Sequence, residues 1–559
     1  MAGQILTPTA IWKDFDIPFV PSAEIIKTEK EESITFTELY IQGQVGNGET
    51  AKIYATLVKP SKKGKLPTVL ILQDLEGGFN KELTVKLCEQ GYAVLSVDLA
   101  GNVDGEKGTF YPKSMEYAYY QNAKNNLSTV NGSVTETCWY EWARATRYVL
   151  KYLLNQSFVE KVGGIAIGEV ATALWQVAGS SNEVSCSVFV LNAGWRGYRG
   201  INKFGGDVEP QFSDDMYKFI AGVEPQAYAM HIKTPVLMLS ATNSDIYDCD
   251  RASDTVARID EKVFTAIHYS VGYRQRVSGE AFRVAEIFFE EFLKKDKSQF
   301  TADVDVSCEI IDGKIRVEVL ADGQIKNVEL YASEEIVEPA KRSWIKVGEL
   351  KKGEDSKYVF NYLPYHNSNQ ANFFAQITFK NGFVAGTKII NKKFNAKEIL
   401  PSHKSKILYS SRVENNETVF HGANQDLFDN HKINLEDKKR VFVKKGPMGI
   451  EGVGCKWGLL TFKFSAEKDK PIDDAILMFD IFSKEQGEMQ VKLISDYFGA
   501  KTEYIETVKL LGGDVWQNVK VAINRFKTKE GMVLKTYGKI EAVEFIGNEE
   551  FLINNALWV

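Results

Sequence analysis

Hydrophobic and polar positions alternate along Ile34–Gln42 and again along Ala51–Val58, with Asn47-Gly48 between the two runs. A period of two marks a strand with one buried face, and Asn-Gly is the pair that a tight hairpin turn favours. Further on the pattern changes. Thr68–Gln73, Ala93–Asp98, Val162–Ile167, Ser187–Asn192, Pro235–Ser240 and Val263–Tyr269 are short, predominantly apolar runs. Helix-like segments lie among them: Lys81–Gln90, closed by Gly91; Thr137–Leu154; an alanine-rich stretch after Ile167; and amphipathic Ala281–Lys294. Apolar strands alternating with helices predict a mostly parallel sheet, buried on both faces, entered through the hairpin.

Helical periodicity stops near Lys294–Lys297. The runs Val304–Ile311, Lys314–Leu320, Lys326–Tyr331, Trp344–Val347, Lys357–Tyr362 and Asn372–Phe379 are short, alternating and bounded by turns. That spacing predicts a small Ig-like β-sandwich. A basic, proline-containing join, Asn395–Lys406, leads to a second strand-rich stretch with Leu459–Phe464, Asp474–Phe482, Met489–Ile494, Trp516–Ile523 and Phe551–Val559. The expected division is 1–297, 298–400 and 401–559: an α/β unit, then two all-β units.

Composition narrows the functional classes. The chain has 559 residues, 44% of them hydrophobic, and a formal net charge of −6. A mildly acidic balance offers no electrostatic footprint for nucleic acid or an anionic membrane. The six cysteines lie far apart with no Cys-x-x-Cys pair, which predicts free thiols, buried at Cys88 and Cys186; no metal ligands are assigned, and metal binding in the β units is left open. No run approaches the length of a membrane span, and the first residues carry no signal-like pattern. As written, the chain reads as cytoplasmic, or as secreted with its leader removed.

Candidate chemistry centres on Lys161–Val177, where a strand breaks at small residues and becomes a helix. This stretch resembles the nucleophile elbow of α/β-hydrolases, and the order of elements over residues 30–296 is similar to the dienelactone hydrolase and acetyl xylan esterase type. The resemblance implies a Ser-His-Asp triad on a hydrolase sheet, with no cofactor. In its register the nucleophile follows the strand glycine, Gly163, by five residues and falls on Gly168; a neighbouring register gives Glu169. The acid falls on Asp245, after Pro235–Ser240. The histidine slot falls on Gln275, or on its neighbour Arg274, in Ser270–Glu280. No serine and no histidine stand where the resemblance requires them. Glutamine exchanges no proton and arginine stays charged, so neither replaces an imidazole base. The segment Gln73–Gly78 stands at the oxyanion-hole loop but carries acidic residues, which oppose a developing negative charge.

Gly194–Lys233 is a long insertion at a strand end, where ligand sites lie in such sheets. Trp195, Tyr198, Arg196 and Arg199 are its candidate substrate-binding residues, a set suited to a polysaccharide or oligosaccharide. The last 150 residues or so resemble jelly-roll carbohydrate-binding modules through Trp516-Gln-Asn-Val, Arg525-Phe526 and Asn555-Ala-Leu-Trp-Val559. Trp457, Tyr497, Phe498 and Tyr504 are the aromatic candidates there. Two readings follow. In one, the chain is a non-catalytic hydrolase relative that binds a glycan or another protein. In the other, it is an esterase with an unconventional constellation built from Glu169 or Thr172 with Asp245 and His268.

Overall fold

The computed structural model describes every residue except 1–3, 63, 102–106, 207–209, 297, 299, 351–356, 365–367, 396–397, 400–406, 413–419, 424–434, 436–440 and 456–457. Trp457 therefore lies outside the described residues, as does most of the join.

The predicted hairpin is present as β2 (Ile34–Gly46) and β3 (Glu49–Pro60), each longer than the alternation indicates. A further strand, β1 (Ala23–Glu31), pairs antiparallel with β2. It escapes a hydrophobicity reading because its residues are mostly charged and exposed: an edge strand is held by backbone hydrogen bonds, and its charges block further pairing. The apolar runs become β4 (Leu66–Leu72), β5 (Ala93–Val97), β6 (Val159–Ile167), β7 (Cys186–Val190), β8 (Val236–Ala241) and β9 (Thr265–Ser270). Their order across the sheet is β1-β2-β3-β5-β4-β6-β7-β8-β9. β3 meets β5 antiparallel, and every pairing from β5 to β9 is parallel.

Successive side chains on β4 enter opposite cores. Leu70 and Leu72 face the helices Cys138–Leu154 and Ala171–Ser180, while Val69 and Ile71 face the helix Gly279–Phe289. Two glycines of β6 set how closely those layers approach. A Cβ on Gly164 would stand 2.8 Å from Leu174 Cδ1, and one on Gly163 2.9 Å from Leu293 Cδ1. The central strand thus lets a helix approach on each face, as close packing demands.

The second unit is an antiparallel sandwich that shares a sheet with the first. Val304–Ile311, Lys314–Ala321 and Lys357–Tyr362 form a separate three-stranded sheet. Ile325–Glu334, Ile345–Glu349, Gln370–Phe379 and Val384–Gly386 continue the sheet of the first unit beyond β9, through the pairing of Gly386 with Ile267. A Cβ on Gly386 would stand 2.6 Å from the Tyr269 ring, so the smallest residue sits where the two units fuse. Val317, Leu330 and Phe373 belong to the same buried cluster as Val188 and Phe282. Hydrogen bonds and core alike run across residue 297.

A buried ion pair locks this junction. Arg342 donates through Nη1 and Nη2 to the two Asp250 carboxylate oxygens at 2.5 and 2.7 Å, and both side chains are fully buried. Nearby, Asn243 Nδ2 donates to the backbone carbonyls of Arg342 at 2.6 Å and Pro339 at 3.2 Å. The loop after β8 is thereby fastened to the turn 336–342 of the second unit.

The third unit consists of two antiparallel sheets facing one another across a shared core, with Leu477, Phe479 and Ile481 from one meeting Val491, Leu493 and Phe545 from the other. It docks against the loop after β9. Arg274 lies over the rings of Phe498, Tyr497 and Phe462 at 4.9, 5.4 and 5.6 Å. His421 is buried; burial, then the Arg274 charge, lowers its imidazole to about 4. An unfolded histidine titrates near 6.5. As pH falls from about 6.5 to about 4 the unfolded chain takes up this proton before the folded chain does, so the folded state loses stability over that window. Wild type is expected to lose up to about 3 kcal/mol more than a His421→Asn variant between pH 7 and pH 4. Urea unfolding of both proteins at each pH tests this, and equal slopes would refute it.

Candidate active site

Three loops converge at the carboxyl edge of the parallel strands: those after β6, β8 and β9. The first is a sharp strand-to-helix turn. Gly168, buried, has φ +70° and is followed by the 3-10 turn Gly168–Val170 and the helix Ala171–Ser180. A left-handed residue between strand and helix is the strained geometry that lifts a nucleophile above a sheet. Here a glycine adopts it without strain and presents no side-chain atom. Asn192, just beyond β7, pins the turn. Its Nδ2 donates to the carbonyls of Gly168 at 3.0 Å and Glu169 at 3.2 Å, and to Thr172 Oγ1 at 2.9 Å.

The other two loops meet through one side-chain contact. Gln275 Nε2 donates to Asp245 Oδ1 at 3.4 Å, the contact an imidazole would make with its aspartate in a working triad. Of the two residues considered for the histidine slot, Gln275 is the one that contacts Asp245. Arg274 turns away to the aromatic side chains of the third unit. The strand order, the parallel crossovers and the left-handed turn after β6 together define the first unit. Its fold is that of an α/β-hydrolase.

No family model and no curated protein matches the chain. Among solved structures it is similar to acetyl xylan esterase 1 from a Thermoanaerobacterium species (15% identity, TM-score 0.38, covering 51% of this chain and 91% of that one). It is similar also to acetyl xylan esterase from a Paenibacillus species (13%, 0.37, 51% and 92%). Glucuronoyl esterase from Solibacter usitatus is a third (13%, 0.35, 51% and 90%).

Within this hydrolase fold the remaining candidates have other tasks. Glu169 forms an ion pair with Arg196, whose guanidinium also donates to the Leu127 carbonyl at 3.0 Å and lies 4.7 Å from the Trp139 ring centroid. Burial lowers Arg196 to about 10, which still leaves it charged at neutral pH. Thr172 Oγ1 is engaged by Asn192. His268 is wholly buried inside β9, level with Leu239 of β8. His268 thus stands within β9 and not in the loop after it, while Glu169, Thr172 and Asp245 contact Arg196, Asn192 and Gln275. In the oxyanion-hole loop, Gly78 N donates to the Asp74 carbonyl at 3.1 Å and Glu76 N to Asp74 Oδ1 at 3.2 Å. Those amides serve the loop itself.

Trp195, itself left-handed at φ +64°, donates through Nε1 to Thr255 Oγ1 at 2.7 Å and is flanked by Arg251 and Arg258. Its ring meets Tyr198 edge-on at 5.4 Å, and Tyr198 meets Phe212 likewise at 5.2 Å. Arg199 is exposed and its side chain makes no hydrogen bond or ion pair among the described residues.

A cleft of about 470 Å³ opens over the elbow, lined by Glu76, Tyr120, Glu169, Arg196, Arg199 and Gln275 among others. Tyr120 Oη donates to Glu76 Oε1 at 2.7 Å; burial first, then this contact, raises the phenol. Among the described residues no three His, Cys, Asp or Glu side chains gather as a metal site, and no helix is long and apolar enough to cross a membrane.

Proposed function

We propose that this chain is a non-catalytic hydrolase relative that uses the cleft above its elbow to bind a saccharide. One observation carries the reading: the backbone that would present a nucleophile is intact at Gly168, while the side chain is absent. The Asp245–Gln275 contact supports it, since the acid–base geometry persists around a residue that exchanges no proton. The Glu169–Arg196 pair fills the position beside the missing hydroxyl, and the oxyanion-hole amides are spent on their own loop. Volume and lining suit a hydrophilic ligand, because most groups facing the cleft are polar or charged. Wild-type protein is expected to show no turnover of p-nitrophenyl acetate or acetylated xylan, and to bind oligosaccharides by titration calorimetry. Turnover that disappears in Glu169→Gln would instead establish an esterase working through an unconventional constellation.

A further inference from the structure

Two residues beyond Asp245, Tyr247 lines the elbow cleft from the loop after β8. Ser244 Oγ accepts from Ile246 N at 3.2 Å and from Tyr247 N at 3.0 Å. Asp248 Oδ1 accepts from Asp250 N at 2.9 Å and caps the helix Cys249–Val256. The backbone is thus held on both sides of the tyrosine, and its ring belongs to the buried cluster of Ile167, Leu191 and Ala241. Only 8% of the residue is exposed. Its hydroxyl nonetheless makes no hydrogen bond among the described residues, and the oxygen is not sealed from the cleft. The other tyrosine of the lining, Tyr120, has its hydroxyl engaged by Glu76.

A buried hydroxyl without a partner costs free energy, and a ligand that supplies the partner recovers it. Burial, more than any charge nearby, raises the phenol, so it stays protonated and offers a donor at neutral pH.

Charge balance narrows the ligand. The elbow cleft sets Asp74, Glu76 and Glu169 against Lys124, Arg196 and Arg199. A neighbouring cavity of about 440 Å³ shares Arg196 and Arg199 and reaches Phe498 of the third unit; it adds Asp245, Asp248 and Glu338 and no further cation. Arg251 and Lys341 offset two of those carboxylates from outside the lining, at 3.2 and 2.8 Å, while Asp245 meets neutral Gln275. An acidic ligand meets like charge there. An ammonium group only donates, and leaves the phenol proton unmatched. A neutral polyol meets carboxylate acceptors for its hydroxyl protons and, at Tyr247, a donor for one of its oxygens.

Resting on the saccharide-binding reading above, we propose that the elbow cleft selects a neutral saccharide and that Tyr247 is a binding residue within it, donating its phenol proton to a sugar oxygen.

Calorimetry on the full chain with xylohexaose, and with hexagalacturonate as the acidic comparison, tests this. Wild type is expected to bind xylohexaose about tenfold more tightly than hexagalacturonate. Tyr247→Phe removes one oxygen and should weaken xylohexaose binding about tenfold. Its midpoint in urea should equal or exceed that of wild type, because among the described residues the hydroxyl has no partner to lose. An earlier midpoint would show a hydroxyl held within the protein and overturns the proposal. So does full-strength xylohexaose binding by Tyr247→Phe, or an affinity for hexagalacturonate equal to or above that for xylohexaose; each of these leaves saccharide binding at the elbow intact. Failure of wild type to bind either sugar overturns both.

Discussion

Replacing Arg342 by alanine is expected to lower stability by about 3–5 kcal/mol, because it strands the Asp250 carboxylate in a fully buried site. The guanidinium satisfies both carboxylate oxygens and also donates to the carbonyls of Ile336 and Val337, so four contacts vanish at once. Asp250→Ala should cost a similar amount by leaving the arginine unpaired. Replacing both partners together, Arg342→Met with Asp250→Leu, is expected to recover most of the loss, since no buried charge then remains. The comparison separates the cost of an orphaned charge from the value of the pair. Urea unfolding of the two single variants and the double one is the measurement; additive losses would show that the residues do not act as a unit. Because Asn243 ties the same turn to the loop carrying Asp245, the single variants should also weaken ligand binding at the elbow.

The second large effect concerns chemistry. A Gly168→Ser, Gln275→His double variant is expected to hydrolyse p-nitrophenyl acetate about 10²-fold above wild type, with each single variant at background. Serine alone has no base to take its proton, and histidine alone has no nucleophile; triad members act as a unit. The gain is limited at that level for two reasons. The oxyanion-hole loop has committed two of its amides, and such donors contribute about 10²–10³ where they are present. A serine at φ +70° also carries about 1–3 kcal/mol of backbone strain, so the double variant should melt earlier than wild type. Breaking the Glu169–Arg196 pair with Glu169→Ala in that background should raise the rate further by clearing the space beside the new hydroxyl. No activity in either background would mean that the loops around Gly168 and Gln275 diverge beyond repair by two side chains.

The sequence by itself determined the order of strands and helices, the place of the strand-to-helix turn and the identity of the residues at it, Gly168 and Glu169. These are local facts: apolar runs, alternation and the identity of single residues carry them without reference to the rest of the chain. It also placed Asp245 and Gln275 in the loops after two recognisable strands, and the fold brings the two side chains into contact. The strand pattern also placed His268 within the last parallel strand and outside the loop that follows it. The charged edge strand Ala23–Glu31 could not be read from hydrophobicity, since backbone pairing holds it.

Tertiary structure decided what lies far apart in the chain and meets across units. Arg196 reads as a free donor in sequence and proves to be bound to Glu169, 27 positions away, a pairing that only the fold can bring about. The Asp250–Arg342 lock, the fusion of two units through Gly386 and the approach of Phe498 to the elbow cleft join segments with no common pattern. Contacts of that kind depend on the path of the whole backbone, and residue type alone does not encode them.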